Sequence, residues 1–164
     1  MSHSPIQIGV IGVGHLGYHH ARLYAAHEGA KLVGVCDTRV EHGERVAAEF
    51  GTKRFGDVQE LIDAGIDAAS VAVPTVGHFE VVQTLLEAGI DVLVEKPIAA
   101  TLDEAKSMVA LAKANNCLLQ VGHVERFNGA VMGLTKAIKK PRFIECHRMS
   151  PFPERGDDVS VVLD

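Results

Sequence analysis

The chain has 164 residues, a formal net charge of −5 and 47% hydrophobic residues. This length favours one domain, or one domain plus a fragment, with enough apolar residues for a full core. There is no tryptophan, only 5% of residues are aromatic, and no basic run occurs. The chain therefore lacks the stacking side chains and the positive charge of nucleic-acid binders, and we expect no nucleic-acid partner.

No stretch of the sequence approaches the roughly 18 consecutive apolar residues that a membrane-spanning helix requires. Residues 1–5 lead straight into an apolar segment, which leaves no room for a signal peptide. These features predict a cytoplasmic protein without a membrane partner.

The residue types that bind metals are not arranged as metal sites. Cys36, Cys117 and Cys146 have no C-x-x-C spacing, and we interpret them as small buried residues of a reducing compartment. His19 and His20 are adjacent in a predicted helix and do not share a face, so packing is a better interpretation than a metal pair. We predict no metal site.

The first predicted strand, residues 6–11, is followed at once by Gly12-Val13-Gly14-His15-Leu16-Gly17 and then by a helical segment. A second apolar run, residues 31–36, ends in Asp37. Strand, G-x-G-x-x-G turn, helix, second strand and acid at this spacing form the dinucleotide-binding fingerprint. The alternative is a glycine turn in an α/β fold that binds no nucleotide.

Each part of this fingerprint has a physical role. Gly12 permits a tight turn, Gly14 lets the backbone approach a pyrophosphate, and Gly17 lets the helix lie close to the strand. The helix start offers free N–H groups and a positive dipole end to the phosphates. Asp37 is placed to accept hydrogen bonds from ribose hydroxyls.

Predicted helices and strands alternate along the rest of the chain. The predicted elements are a helix from a capping box at 38–41 towards residue 50, a strand at 53–55, a helix at 58–64, a strand at 66–73, a helix at 77–88, a strand at 90–94, a helix through 114 opened by a capping box at 101–104, a strand at 117–121 and a helix at 125–139. This alternation implies a parallel sheet with right-handed crossovers. We predict a Rossmann doubly wound α/β fold with strand order 3-2-1-4-5-6.

The composition changes at Pro141. Residues 142–149 alternate between apolar and polar, as in an antiparallel strand, and a loop and a short apolar run follow. A strand and a half cannot make a domain. We therefore expect a Rossmann domain over residues 1–124, then a linker helix and the first elements of an incomplete α+β C-terminal domain over 125–164.

Ligands of open α/β sheets bind beyond the carboxyl ends of the strands. The ends of strands 1 and 2 would hold the adenosine half of a dinucleotide, and the ends of strands 4 to 6 would face the nicotinamide half. Lys96, after strand 5, can hydrogen-bond a reacting hydroxyl or take its proton. The candidate cofactor-binding residues are Gly12, Val13, Gly14, His15, Leu16, Gly17, Asp37, Thr38, Arg39, Pro74, Thr75, His78, Glu95, Lys96 and His123.

Several of these candidates have a second interpretation. Lys96 can be a solvated strand-end lysine, and His123 a residue at the edge of the core. His15 can be an exposed loop residue instead of a phosphate contact. Arg39 can stack on adenine or lie on the surface, and Thr75 can cap a helix.

The chain resembles the glucose–fructose oxidoreductase/inositol dehydrogenase/MocA family. The resemblance rests on residues 12–17, Glu95-Lys96-Pro97, the segment Gly122-His123 with Arg126-Phe127-Asn128, and the final Val161-Val162-Leu163-Asp164. It implies a two-domain NAD(P)-dependent oxidoreductase with Lys96 as the family's lysine. It also implies a catalytic aspartate at Asp164, in an Asp-x-x-x-His pattern whose histidine would follow the last residue given.

The resemblance therefore implies hydride transfer between a nicotinamide and an alcohol of a sugar, polyol or sugar nucleotide, with nucleotide-linked amino sugars as the favoured subtype. We expect NAD to be preferred over NADP, and we expect a homo-oligomer. The alternative is a non-catalytic NAD-binding module or an inactive truncated fragment. We expect these 164 residues alone to be inactive.

Overall fold

The computed structural model describes residues 4–145 and 147. Six strands and six α-helices alternate along this part of the chain. The strands are β1 (Ile6–Ile11), β2 (Ala30–Cys36), β3 (Lys53–Phe55), β4 (Ala68–Val71), β5 (Asp91–Val94) and β6 (Leu119–Val121). The helices are α1 (His15–Ala26), α2 (Val40–Glu49), α3 (Val58–Asp63), α4 (His78–Glu87), α5 (Leu102–Ala114) and α6 (Gly129–Ala137).

The strands form one six-stranded sheet in the order β3-β2-β1-β4-β5-β6, and every pairing is parallel. The predicted Rossmann topology is therefore confirmed, including the strand order. The order reverses beside β1, because β2 lies on one side of it and β4 on the other. This switch point is where open α/β sheets bind their ligands.

Two apolar layers cover the two faces of the sheet. Successive residues of β1 separate onto them, since Val10 belongs to one cluster and Ile11 to the other. The first cluster includes Ala21 of α1 and Val46 of α2, and the second includes Leu85 of α4 with residues of α3 and α5. Helices α1 and α4 therefore lie on opposite faces.

Side-chain caps set the starts of two helices. The Asp57 side chain accepts from the Glu60 amide at 2.8 Å and caps α3. Thr101 and Glu104 form the predicted capping box of α5, in which each side chain accepts from the other's main-chain N–H.

The capping box predicted at 38–41 is wrong. Helix α2 begins at Val40 after Arg39, with no side-chain cap, and Thr38 is exposed. The Asp37 carboxylate instead accepts the Arg39 N–H at 2.9 Å. The acid one residue earlier therefore provides the local hydrogen bond at this turn.

Two predictions near the end of the described residues are also wrong. The helix predicted at 125–139 is a 3-10 turn, Val124–Phe127, followed by α6, because the Asn128 side chain accepts from the Ala130 amide and starts a new helix. Residues 142–145 form no strand. The rest of the predicted 142–149 strand lies outside the described residues, apart from residue 147, and the domain division near residue 124 stays a prediction.

Over the same described residues, no helix is long and apolar enough to cross a membrane. No group of three histidine, cysteine or carboxylate side chains is placed there to hold a metal ion. Cys36 is buried and Cys117 is partly exposed, and both are free thiols. Cys146 lies outside the described residues.

Candidate functional site

The glycine turn joins β1 to α1, and the fold itself requires two of its three glycines. Gly12 has a φ of +78°, and a Cβ there would lie 2.8 Å from the main chain of Ala72 and Val73. A Cβ on Gly17 would lie 1.7 Å from the Gly12 carbonyl oxygen. A larger residue at Gly12 would therefore force the turn away from the end of β4, and one at Gly17 would force α1 away from the turn.

Gly14 differs from the other two glycines. It precedes the first residue of α1 with a φ of −62°, which any residue can adopt, and a Cβ there would approach only Arg39 Nη2, at 3.8 Å. No side chain of the described residues caps this helix start, and the following His15 and Leu16 are exposed. The turn thus leaves open space next to the N–H groups and positive dipole end of α1.

Asp37, at the end of β2, is 6% exposed and binds the glycine turn directly. Its Oδ2 accepts the Val13 N–H at 3.0 Å, and its Oδ1 accepts the Arg39 N–H at 2.9 Å. Burial raises the pKa of Asp37. Hydrogen bonds from the Arg39 side chain and the two main-chain N–H groups outweigh that effect, and hold the pKa below its ordinary value.

Arg39 reaches back to this carboxylate. Its Nε lies 3.2 Å from Asp37 Oδ1 and its Nη2 lies 3.3 Å from Oδ2, while 62% of the Arg39 side chain is exposed. The guanidinium thus lies at the surface beside Gly14 and the acid. The ion pair with Asp37 departs from a purely solvated position, and adenine stacking by Arg39 stays a prediction.

At the end of β4, the chain passes through Pro74 into a 3-10 turn, Thr75–Gly77, and then α4. Thr75 is 8% exposed and does not cap a helix, so the capping alternative is wrong. His78 is 1% exposed, and both ring nitrogens face main-chain oxygens: Nδ1 faces Pro97 O at 2.9 Å and Nε2 faces Val73 O at 3.0 Å.

At the end of β5, Glu95 is 6% exposed and contacts a histidine of α1. His20 Nε2 lies 3.1 Å from Glu95 Oε1, and Glu95 Oε2 accepts the Lys96 N–H at 3.2 Å. Burial raises the pKa of Glu95, but the His20 hydrogen bond and the Lys96 N–H outweigh it and hold the pKa below its ordinary value. Lys96 itself is partly buried.

His123 follows β6 and is exposed. It borders a cleft of about 120 Å³ that is also lined by His20, Glu95 and Phe127. A Cβ on Gly122 would lie 2.9 Å from Glu95 Oε1, so the end of β6 packs tightly on this carboxylate. The ends of β5 and β6 and the start of α1 therefore meet at one edge of the sheet.

The structure brings the predicted residues together at the carboxyl ends of the strands. The glycine turn, Asp37, the 74–78 segment, Glu95-Lys96 and His123 all lie at that edge. Asp164 lies outside the described residues. The roles of the individual residues in binding stay predictions.

Sequence reasoning missed two contacts. His20 was assigned to packing, although its Nδ1 lies 2.5 Å from the buried Ser70 hydroxyl and its Nε2 faces Glu95. His42 Nε2 lies 2.7 Å from Val13 O and supports the glycine turn from α2. The sequence does indicate such a contact for His20. Helix α1 begins at the glycine turn, so one face of the helix must pack across the ends of the neighbouring strands.

A six-stranded parallel sheet in this order, with a glycine turn after β1 and a buried acid after β2, defines a dinucleotide-binding Rossmann domain. The model of the family described as an oxidoreductase family with an NAD-binding Rossmann fold, glucose–fructose oxidoreductase/inositol dehydrogenase/MocA, matches residues 6–123. The chain belongs to this family.

The chain is similar in sequence to proteins that are named as dehydrogenases. It is 38% identical over 160 residues to UDP-N-acetylglucosamine 3-dehydrogenase of Acidithiobacillus ferrooxidans, covering 97% of this chain and 50% of that protein. It is 36% identical over 128 residues to scyllo-inositol 2-dehydrogenase (NAD(+)) of Bacillus subtilis, covering 76% of this chain and 37% of that protein.

Solved structures agree with this. UDP-N-acetylglucosamine 3-dehydrogenase GnnA of Acidithiobacillus ferrooxidans superposes with a TM-score of 0.88 at 37% identity, covering 99% of this chain and 53% of that one. Scyllo-inositol dehydrogenase of Lactobacillus casei with bound NAD(H) and scyllo-inositol gives 0.76 at 26% identity, covering 81% and 40%. The chain spans about half the length of the relatives it matches.

Proposed function

We propose that this chain binds NAD(H) across the carboxyl edge of its sheet and supplies the cofactor half of an oxidoreductase. The pyrophosphate would lie at the start of α1, the adenosine ribose at Asp37, and the nicotinamide at the ends of β4, β5 and β6. The reaction would move a hydride between nicotinamide and a secondary alcohol of a sugar-like substrate.

The observation that carries this proposal is Gly14. The fold needs glycine at Gly12 and Gly17, but a Cβ at Gly14 meets nothing closer than 3.8 Å. A glycine that the protein's own packing does not require, next to uncapped helix N–H groups, fits a site where a phosphate approaches the main chain.

The chemical step would depend on Lys96. The bound nicotinamide supplies the hydride acceptor. The Lys96 amine, in its neutral form, would take the proton of the substrate hydroxyl while the adjacent C–H bond gives its hydride to the nicotinamide. Asp164 and the histidine implied by the resemblance would assist this proton transfer.

The substrate we favour is a nucleotide-linked amino sugar. Support comes from the identity of 38% to a UDP-N-acetylglucosamine 3-dehydrogenase over 97% of the chain, against 36% over 76% for an inositol dehydrogenase. The longer match reaches past β6 into the segment where substrate-binding elements would begin.

We also propose a homo-oligomer, because helix α6 exposes an apolar surface. Its exposed residues include Val131, Met132 and Leu134. A monomer in sedimentation velocity at micromolar concentration would contradict this. A cytoplasmic location is proposed only from the cysteine pattern.

Titration of the protein with NADH, followed by nicotinamide fluorescence, tests cofactor binding. Gly14→Val should weaken binding by about a hundredfold or more, because the side chain occupies the phosphate position. Gly133→Val is the matched control, since a Cβ at Gly133 in α6 meets nothing within 4 Å. Equal affinity in the parent, Gly14→Val and Gly133→Val would overturn the proposal.

A non-catalytic NAD-binding module is the second candidate. It predicts the same binding results but no turnover in any form of the protein. Oxidation of UDP-N-acetylglucosamine or of an inositol by the full gene product, lost in Lys96→Ala, would decide for the enzyme.

A further inference from the structure

A partly buried histidine of α1 and a buried histidine of α4 contact the chain on either side of Lys96, from opposite faces of the sheet. His20 belongs to α1 and His78 to α4. The segment between their contacts, Glu95-Lys96-Pro97, is named here the Lys96 turn. It follows β5 and contains the residue to which we assign the proton transfer.

The contact from α1 acts through Glu95. His20 Nε2 faces Glu95 Oε1 at 3.1 Å, and the other carboxylate oxygen accepts the Lys96 N–H at 3.2 Å. The second His20 nitrogen lies 2.5 Å from Ser70 Oγ. Because both sides of the ring are held, the imidazole has one orientation towards the carboxylate.

Serine, histidine and glutamate in a row resemble a nucleophilic triad, but the burial excludes that role. Ser70 is 0% exposed and lies within β4, so no substrate can reach its hydroxyl. Glu95 is 6% exposed, and a buried carboxylate without a partner is strongly unfavourable. His20 therefore keeps Glu95 ionised and in place to accept the Lys96 N–H.

The contact from α4 acts on the other end of the turn. His78 Nδ1 lies 2.9 Å from Pro97 O, and Nε2 lies 3.0 Å from Val73 O at the end of β4. The His78 ring thus ties the Lys96 turn to the neighbouring strand end. An imidazole N–H donates to a carbonyl oxygen here, and because the exposure of His78 is 1%, water does not compete for that hydrogen bond.

We propose that His20 and His78 are positioning residues, which fix the Lys96 turn from the two faces of the sheet and thereby aim Lys96 at the substrate hydroxyl. His20 acts on the turn through Glu95, and His78 acts on it through the main chain. The catalytic meaning of this arrangement rests on the proposed function, whereas the fixing of the turn does not.

The main-chain N–H of Lys96 reports on the arrangement directly. In the protein without cofactor, amide hydrogen exchange at Lys96 should become about tenfold faster in His20→Phe, because the acceptor carboxylate loses the partner that holds it. Exchange at Val92 and Val94 in β5 should stay unchanged. His78→Leu should accelerate Lys96 less, because it releases only the Pro97 end.

Two variants keep the test specific. His20→Gln retains an N–H donor for Glu95 and should restore slow exchange at Lys96. His19→Phe is the matched control, because the adjacent ring contacts only the His15 and Tyr18 rings among the contacts described. If His20→Phe fails to fold, Glu95→Gln serves instead. It replaces the carboxylate that accepts the Lys96 N–H by an amide, which is a weaker acceptor, and should also speed amide exchange at Lys96.

Turnover of the full gene product separates positioning from simple stability. His20→Phe should lower kcat about tenfold with KM for NAD within about twofold, and His20→Gln should recover most of kcat. Unchanged Lys96 exchange in His20→Phe, or acceleration spread evenly over β5, would overturn the proposal. Failure of the proposed function would look different: Lys96 exchange would respond as stated, while NADH would not bind.

Discussion

The two halves of the cofactor cleft are built by different kinds of contact. In the adenosine half, the glycine turn, Asp37 and Arg39 lie within 28 residues of one another and bond mainly to each other. In the nicotinamide half, the Lys96 turn depends on His20, which is 75 residues from Glu95, and on His78, which is 19 residues from Pro97 and belongs to no spacing motif. The half that follows a known spacing motif can be identified from the sequence, whereas the half without such a motif cannot.

The largest effect is expected in the nicotinamide half, where loss of Lys96 should lower turnover far more than it weakens NAD binding. Lys96→Ala in the full gene product should lower turnover by about a hundredfold to ten-thousandfold, because a proton acceptor is lost, while the dissociation constant for NAD changes by less than about threefold. Steady-state kinetics and NADH titration measure both. If Lys96→Ala retained its turnover, the alternative interpretation of Lys96 as a solvated strand-end lysine would be favoured.

The glycines of the adenosine half should separate folding from binding. Gly17→Ala should destabilise the protein by about 3 kcal/mol or more, because its Cβ would lie 1.7 Å from the Gly12 carbonyl oxygen. Gly14→Ala should cost no more than about 1 kcal/mol, as expected at an uncapped helix start. Urea unfolding compares the two, and similar losses at both positions would contradict the distinction.

Cofactor choice should depend on Asp37 and Arg39. Two unit charges 4 Å apart, such as a 2′-phosphate charge and the carboxylate, repel by about 1 kcal/mol in water and about 4 kcal/mol at an effective dielectric near 20. This repulsion predicts a preference for NAD of roughly fivefold to thousandfold. Arg39, whose Nε lies 3.2 Å from Asp37 Oδ1, would partly compensate this repulsion. Dissociation constants for NAD and NADP should therefore converge in Asp37→Ala and diverge further in Arg39→Ala.

An equal affinity of the parent for both cofactors would contradict this, as would an unchanged ratio in Asp37→Ala. Asp37→Asn keeps the shape of the side chain and serves as the matched variant, because it removes the charge alone.

The smallest effect is on stability in acid. The pKa values of Asp37 and Glu95 are both lowered in the folded protein, so their stabilising contribution is complete above the ordinary carboxylate range near pH 4. That contribution is lost as the pH falls through the lowered pKa values. Urea unfolding between about pH 3 and 6 should show a shallower pH dependence in Glu95→Gln than in the parent. A steeper dependence would contradict the assignment.

Sequence reasoning succeeded where a pattern repeats or lies within one short segment. The strand order, the glycine turn after β1 and the Thr101–Glu104 capping box follow from periodicity and spacing, and the structure has them. It was wrong at Thr38, because Asp37 competed for the local N–H group, and at Asn128, which begins a helix where a continuous helix was expected.

The nicotinamide half could be predicted only as a set of strand ends. Nothing in the spacing of His20 and Glu95 indicates that they meet, since they lie 75 residues apart and the contact depends on how α1 crosses β4 and β5. The burial of His78 and the use of both its nitrogens also depend on the Pro97 carbonyl, which only the folded chain brings close.

The most direct test of the account is a map of main-chain amide signals during titration with NAD+. The account predicts that the largest changes in the ¹H–¹⁵N spectrum fall in two separate groups, at Gly14, His15, Leu16 and Gly17 and at Lys96 and His123. Signals from α3 and α5, which lie on the face of the sheet opposite to α1, should not shift. No change at either group, or the largest changes on α3 or α5, would contradict the claim that the cofactor spans this edge of the sheet.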